Sequence, residues 1–277
     1  MSEIIYLNGD FLQKTKAKIS PDDRGFIFAD GVYEVVKYYY GKPFRLEYHL
    51  ERLKNSLSSL ELGFNTEGLA AVFETLLDRN KLTDTHAGVY WQITRGPNNR
   101  VHYYPEDSVP TIYAFTFALS SDREKLADGI RVITHEDIRW LRCDIKSISL
   151  LPNTMLFNKA AKKGAGECIL IRNGMVTEAT HSSVLAVRNG KVFTHPLSNL
   201  ILPGITRQAV KEICLMQNIE FVEKSFSEAE LYKMDELLIA GTGSEVTPVT
   251  VVDDKVIGSG KPGPLTQFIQ DEFFKLT

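Results

Sequence analysis

The sequence predicts an α+β protein of two domains, with hairpin-built sheets that carry helices. Asn-Gly between apolar runs is the strongest short hairpin signal. It stands in "IIYLNGDFL", "CILIRNGMVTEA" and "SVLAVRNGKVFTH", turning at Asn8-Gly9, Asn173-Gly174 and Asn189-Gly190. Leucine-striped segments of helical period lie between the strands. A length of 277 residues is long for one core and comfortable for two domains. The polar stretch "ALSSDREKLADG", residues 118–129, separates two strand-rich blocks. The boundary is placed there, giving a smaller domain over 1–120 and a larger one over 121–277 that carries Lys146.

In chain order, the first hairpin is followed by "YEVVKYYYGKPFRL", with a turn around Gly41. "HLERLKNSLSSLEL" sets Leu50, Leu53, Leu57 and Leu60 on one helical face, and "TEGLAAVFETLLDRNKL" does the same with Leu69, Val72, Phe73 and Leu76. "GVYWQITRG", "TIYAFTFAL", "GIRVITHED" and "DELLIAG" are strands by their β-branched and aromatic content. "GITRQAVKEICLMQN" is a helix with Thr206 as the expected N-cap, and "PLTQFIQDEFFKL" closes the chain.

The apolar fraction of 43% and charged fraction of 24% are those of a soluble globular protein. A net charge of −3 without a basic run argues against nucleic acid as a partner. Three scattered cysteines, Cys143, Cys168 and Cys214, make neither a disulfide framework nor a thiolate metal site, and no metal is expected. The first residues show no signal-peptide pattern and no stretch is long enough to span a bilayer, so the expectation is cytoplasmic.

Lys146 stands in "WLRCDIKSISLLPN" between Ile145 and Ile148, in what reads as a buried strand. Burial disfavours the ammonium form and leaves a nucleophilic amine suited to Schiff-base chemistry. The plain alternative is a buried stem whose head reaches water or pairs with Asp144. Glu178, in "MVTEATHSS", ends a strand; a carboxylate there is either solvated or faces a pyridinium nitrogen. "LPGITRQAV" places Ile205 and Thr206 at a helix start suited to an anion, and "AGTGSEVTP" is a second anion candidate. Arg95, Arg100 and His102 crowd the loop "TRGPNNRVHYYP"; arginine forks bind carboxylates. Tyr33 begins a strand after the Asp30-Gly31 turn, and Arg52 lies on the polar side of its leucine-striped helix.

Together "RGFIFADGVYEVVK", "HLERL", "TRGPNNRVHYYP", "DIRWLRCDIKSISLLPN", "VTEATHSSV", "LPGITRQAV" and "MDELLIAGTGSEVTP" resemble the fold-type IV pyridoxal-phosphate aminotransferases, in order and over nearly the whole chain. The D-amino acid aminotransferase group is the nearest match. The resemblance implies that Lys146 holds pyridoxal 5'-phosphate as a Schiff base and shuttles the proton between substrate and cofactor. It implies that Glu178 faces the pyridine nitrogen and that Leu202 packs on the ring. Arg52, Ile205, Thr206 and Thr242 would hold the phosphate. Tyr33 would line the site, and Arg100 and His102 would hold the substrate carboxylate from a neighbouring subunit, which implies a homodimer with shared active sites. The implied reaction moves the amino group of a D-amino acid such as D-alanine to 2-oxoglutarate by a ping-pong mechanism. Departures from the group's pattern stand at Pro203, His181, Ser183 and Gly241, the last where a hydroxyl is usual. A branched-chain L-aminotransferase or an aminodeoxychorismate lyase of the same fold are the alternatives, separated by the Arg100 and His102 pair. A catalytically silent cofactor-binding protein and a cofactor-free structural protein are the remaining ones.

Overall fold

The computed structural model describes residues 3–119 and 123–277, and the expected boundary at 120/121 lies outside these residues. The chain forms two compact units. The first is Met1–Ser121 with Ile145–Ser149, and the second is Asp122–Asp144 with Leu150–Thr277.

Elements of the first unit are β1 (Ile4–Leu7), β2 (Asp10–Gln13), α1 (Arg24–Phe28), β3 (Gly31–Tyr39), β4 (Lys42–Pro43), α2 (Leu46–Ser59), α3 (Leu69–Arg79), β5 (His86–Thr94) and β6 (Thr111–Ala118). Its antiparallel sheet runs β2-β1-β6-β5-β3-β4. The Asn8-Gly9 and Tyr40-Gly41 turns have positive φ at both positions, as tight hairpins require. Strand alternation puts Val32, Val36 and Tyr38 on the core side of β3, against Leu53, Leu57, Phe73 and Trp91. The Phe73 and Trp91 rings lie 4.4 Å apart at the centre of this core. α2 buries Leu46, His49, Arg52, Leu53, Ser56 and Leu57, one face at helical spacing. Arg52 is therefore buried with the leucines, at 7% exposure, and not a surface charge on the polar side.

The Lys146 segment departs from expectation twice. It is not a regular strand, and it belongs to the first unit rather than to the C-terminal block. Ser147 makes an isolated bridge to Val32; the Tyr33 N–H donates to Lys146 O at 3.0 Å and the Ile148 N–H to Gly31 O at 3.1 Å. Ile145 joins the first core. This edge-on docking needs Gly31: a Cβ there would stand 2.6 Å from Ile93 O and 3.2 Å from Ile148 Cδ1.

The second unit contains α4 (Arg123–Asp128), β7 (Ile130–Glu136), α5 (Leu151–Lys162), β8 (Glu167–Arg172), β9 (Met175–Ala179), β10 (Ser183–Arg188), β11 (Lys191–Thr194), α6 (Ile205–Met216), β12 (Phe221–Glu223), α7 (Glu228–Leu231), β13 (Glu236–Gly241), β14 (Glu245–Val252), β15 (Lys255–Val256) and α8 (Pro264–Phe274). Its sheet runs β12-β11-β10-β13-β14-β7-β8-β9, with β15 added to β14. The Asn173-Gly174 and Asn189-Gly190 hairpins form as read, but β7 runs parallel to both β14 and β8, and β11 parallel to β12. Hairpins alone therefore do not build this sheet. α6 starts at Ile205 with Gly204 as its N-cap and no side-chain cap, so Thr206 lies inside the first turn. All three cysteines are free and buried.

Candidate functional site

In the first unit, the Lys146 amine lies 4.2 Å from the centre of the Tyr33 ring, and Tyr33 stacks on Tyr90 at 5.6 Å. The Lys146 N–H is held by Ser56 Oγ on α2 at 3.1 Å. Asp144, the candidate structural partner for Lys146, pairs instead with Arg142 at 3.0 Å in an exposed contact. The backbone of Lys146 is thus fixed from two elements, while its amine faces a π-surface.

Beside it lies a buried charge cluster that pattern reading missed. Glu34 on β3 is fully buried; Arg52 donates from Nε to its Oε1 at 2.7 Å and from Nη2 to its Oε2 at 2.9 Å. His49 Nδ1 stands 2.7 Å from Oε2. Burial works to raise the Glu34 carboxyl, yet the Arg52 fork, with His49, brings it from 4.5 down to about 2. Burial holds His49 below its ordinary value against the pull of Glu34. The only linear signal was a glutamate on the core side of an apolar strand.

Arg100 and His102 are exposed and flank Phe28: the Arg100 guanidinium is 5.3 Å and the His102 ring 5.5 Å from the Phe28 ring centre. Buried Arg24 pins their loop, donating from Nη1 to Val101 O at 2.6 Å and from Nε to Asp30 Oδ2 at 2.8 Å. Arg95, grouped with Arg100 by sequence, is instead structural: it binds Asp30 and the carbonyls of Leu60 and Glu61.

In the second unit, buried Glu178 accepts from Arg139 Nη1 at its Oε1 and from the Leu202 N–H at its Oε2, 3.1 Å away. Arg139 also forks onto Asp137, which accepts further from Arg172 and Thr177. Burial raises the Glu178 carboxyl, and Arg139 opposes that rise. The resemblance named Glu178 and Leu202, but Arg139 was passed over; its carboxylate partners lie 2 and 39 positions away.

Also in this unit, the start of α6, the start of β10 and the end of β13 come together. Ser183 pairs with Ala240, and a Cβ on Gly204 would stand 2.6 Å from Ser183 Oγ. Ile205 and Thr206 are buried in the uncapped first turn. Gly241 hairpins to Glu245 through Thr242, Gly243 and Ser244. Glu167, fully buried behind this junction, accepts from Ser182 Oγ at 2.9 Å, from Thr180 Oγ1 and from the Cys168 N–H. Burial works to raise its carboxyl, but His181 and these donors hold it low.

Residues 31–252 match the amino-transferase class IV family. The chain belongs to the class IV aminotransferases. Within this family it is 42% identical, over 98% of its length and 96% of the relative's, to a D-alanine aminotransferase of Staphylococcus haemolyticus. A D-alanine aminotransferase of Bacillus licheniformis is 40% identical over 96% of this chain and 94% of its own. Among solved structures, the Escherichia coli branched-chain amino acid aminotransferase superposes with a TM-score of 0.91 at 26% identity, covering 100% of this chain and 95% of that one. The branched-chain aminotransferase of the archaeon Thermoproteus uzoniensis, solved with norvaline, gives 0.88 at 25% identity, covering 99% and 94%. No helix of the described residues is long and apolar enough to cross a membrane.

Proposed function

We propose that this aminotransferase is a D-amino acid transaminase that moves the amino group of D-alanine to 2-oxoglutarate, with pyridoxal 5'-phosphate held at Lys146. The observation that carries the reading is the 42% identity to a D-alanine aminotransferase across 98% of the chain. The residues fit the cofactor. A buried Ser244 hydroxyl without a hydrogen-bond partner and the uncapped turn of α6 suit a phosphate. Glu178 suits a pyridine nitrogen, because a raised carboxyl can share a proton with it.

Bound pyridoxal phosphate supplies an aldehyde that condenses with amines and a ring that accepts electrons. Lys146 would be the amine that holds the aldehyde carbon, and its Nζ would be the base that takes and returns the proton at the substrate Cα. The Tyr33 ring under its Nζ limits where that amine can go. Glu178, where Arg139 opposes the rise that burial causes, would face the ring nitrogen, and Leu202, whose N–H donates to the same carboxylate, would pack on the ring. Ile205, Thr206 and Thr242 would hold the phosphate, and Arg52, steadied by Glu34, would be the residue that supplies it a cation. Arg100 and His102 bind the substrate carboxylate in a neighbouring subunit. Phe26, Tyr103 and Val109, 80%, 72% and 74% exposed in and beside that loop, support a homodimer that covers them. The donor and the keto-acid acceptor use one site in turn, so the kinetics are ping-pong. A cytoplasmic enzyme accords with three reduced, buried thiols.

The likeness to branched-chain enzymes at a TM-score of 0.91 favours a second reading, an L-specific transaminase. The test is half-reaction absorbance with D-alanine and, separately, L-leucine. Conversion by D-alanine with loss of the signal in Lys146→Ala is expected. Conversion by L-leucine alone would overturn the D-reading and the assignment of Arg100 and His102.

A further inference from the structure

Gly241 lacks a side chain at the point where β13 meets the start of β10. An ideal Cβ there would stand 2.8 Å from Ser244 Oγ, 3.3 Å from Ser182 Cβ and 3.4 Å from His181 O. The hydroxyl of Ser244 and the Cβ of Ser182 therefore border one small space. The two serines are not equivalent. Ser182 gives its proton to Glu167 at 2.9 Å, and the His181 ring, 2.9 Å from the same carboxylate, keeps that acceptor in place. Ser244 Oγ is buried and has no hydrogen-bond partner. Its carbonyl, by contrast, is occupied by Thr247 Oγ1 at 2.5 Å, which fixes the turn. Buried hydroxyls are seldom left unpaired unless a ligand completes them. Thr242 stands in the same turn, and the uncapped first turn of α6 joins this junction through the Ser183–Ala240 pair and the close approach of Gly204 to Ser183.

We infer that Ser244 donates a hydrogen bond to the cofactor phosphate, filling through the turn the place that a hydroxyl on residue 241 would occupy. The inference rests on the phosphate site of the proposed function. It makes Gly241 part of the device: any side chain at 241 meets the Ser244 hydroxyl. It also makes Ser182 a bystander whose proton is spent on Glu167.

The test compares binding of pyridoxal phosphate and of pyridoxal, which lacks the phosphate, to the cofactor-stripped full-length protein by absorbance titration. For the wild type, a strong preference for the phosphorylated form is expected; no preference would sink the phosphate site itself. Ser244→Ala is expected to weaken pyridoxal phosphate about tenfold and leave pyridoxal unchanged, since a hydrogen bond to a charged group is being removed. An unchanged preference in Ser244→Ala, with the wild type intact, overturns the role of Ser244 alone. Ser244→Ala/Gly241→Ser returns a hydroxyl to the same space and is expected to recover most of the preference. Loss in the single variant without recovery in the double one assigns the effect to packing and overturns the inference as well.

Discussion

Glu34 should remain ionised far below the pH at which a glutamate ordinarily takes up its proton. Its carboxylate is fully buried and receives both arms of the Arg52 fork, which brings it from 4.5 to about 2. At pH 3.5 an ordinary glutamate would be about 9% ionised and Glu34 about 97%. A shift of this size corresponds to about 3 kcal/mol, because each unit is about 1.36 kcal/mol. The folded value lies below the unfolded one. This stability is therefore complete above about pH 4.5 and is lost as the pH falls through about 2. The assay is a carboxyl-carbon NMR titration of glutamate-labelled protein, with the Glu34 resonance identified by its absence in Glu34→Gln. At pH 7 that variant should be about 3 kcal/mol less stable in urea unfolding, since buried Arg52 then loses the charge of Glu34. Trp91, buried beside Phe73, reports the unfolding when Trp140 is changed to Phe. A Glu34 midpoint near 4.5, or a Glu34→Gln protein as stable as its parent, would refute the reasoning.

Arg139→Met strips buried Glu178 of its cation, leaves Asp137 with Arg172 alone, and should cost about 3–5 kcal/mol, a melting-point drop of roughly 6–20 °C by calorimetry. Both carboxyls then titrate higher in the folded state, so the deficit should shrink as the pH falls from 7 toward 5; a deficit independent of pH would argue against charge as its cause. Arg24→Gln frees the backbone of Val101, and through it Arg100 and His102. KM for the amino donor should rise several-fold with cofactor affinity unchanged, and equal loss of both would make Arg24 merely structural. Gly31→Ala forces β3 away from Ile93 O and should destabilise by about 1–3 kcal/mol. It should also slow cofactor attachment at Lys146, which stopped-flow absorbance would read. His49, which burial holds below its usual value, contributes stability that is complete above pH 6.5 and lost as the pH falls. A His49→Gln protein should therefore lose less stability than the wild type on acidification from pH 7.

What could be read along the chain was local. Asn-Gly turns impose positive φ on adjacent residues and so announce themselves in two letters. The leucine stripe of α2 and the β-branched run of β5 were equally plain. α5 was missed because Pro152 reads as a breaker, although it occupies the first turn, where a missing N–H costs little. The parallel pairings of β7 join residues more than a hundred positions apart in one direction, as with Val249 and Ile130, and no local pattern encodes them. At the candidate site, Lys146 drew notice because charge stood among apolar residues, and Glu178 because it ends a strand before a run of hydroxyls. Glu34, Arg139 and Glu167 were overlooked because each is explained by a partner brought in by folding. Arg52 shows the limit most clearly: the helical pattern puts it on the polar side, and its bond to Glu34 on another element accompanies its turn inward.

The chain leaves the first unit, returns to it for Ile145–Ser149, and leaves again. No cut in the gene can therefore separate the units while keeping each whole. A product ending at Ser121 lacks the lysine, and one beginning at Asp122 carries the lysine without the strand that docks it. On the ribosome, the Gly31–Tyr33 edge is made more than a hundred residues before its partners Lys146 and Ile148. The Lys146 backbone is thus seated only after the sheet that receives it has been made.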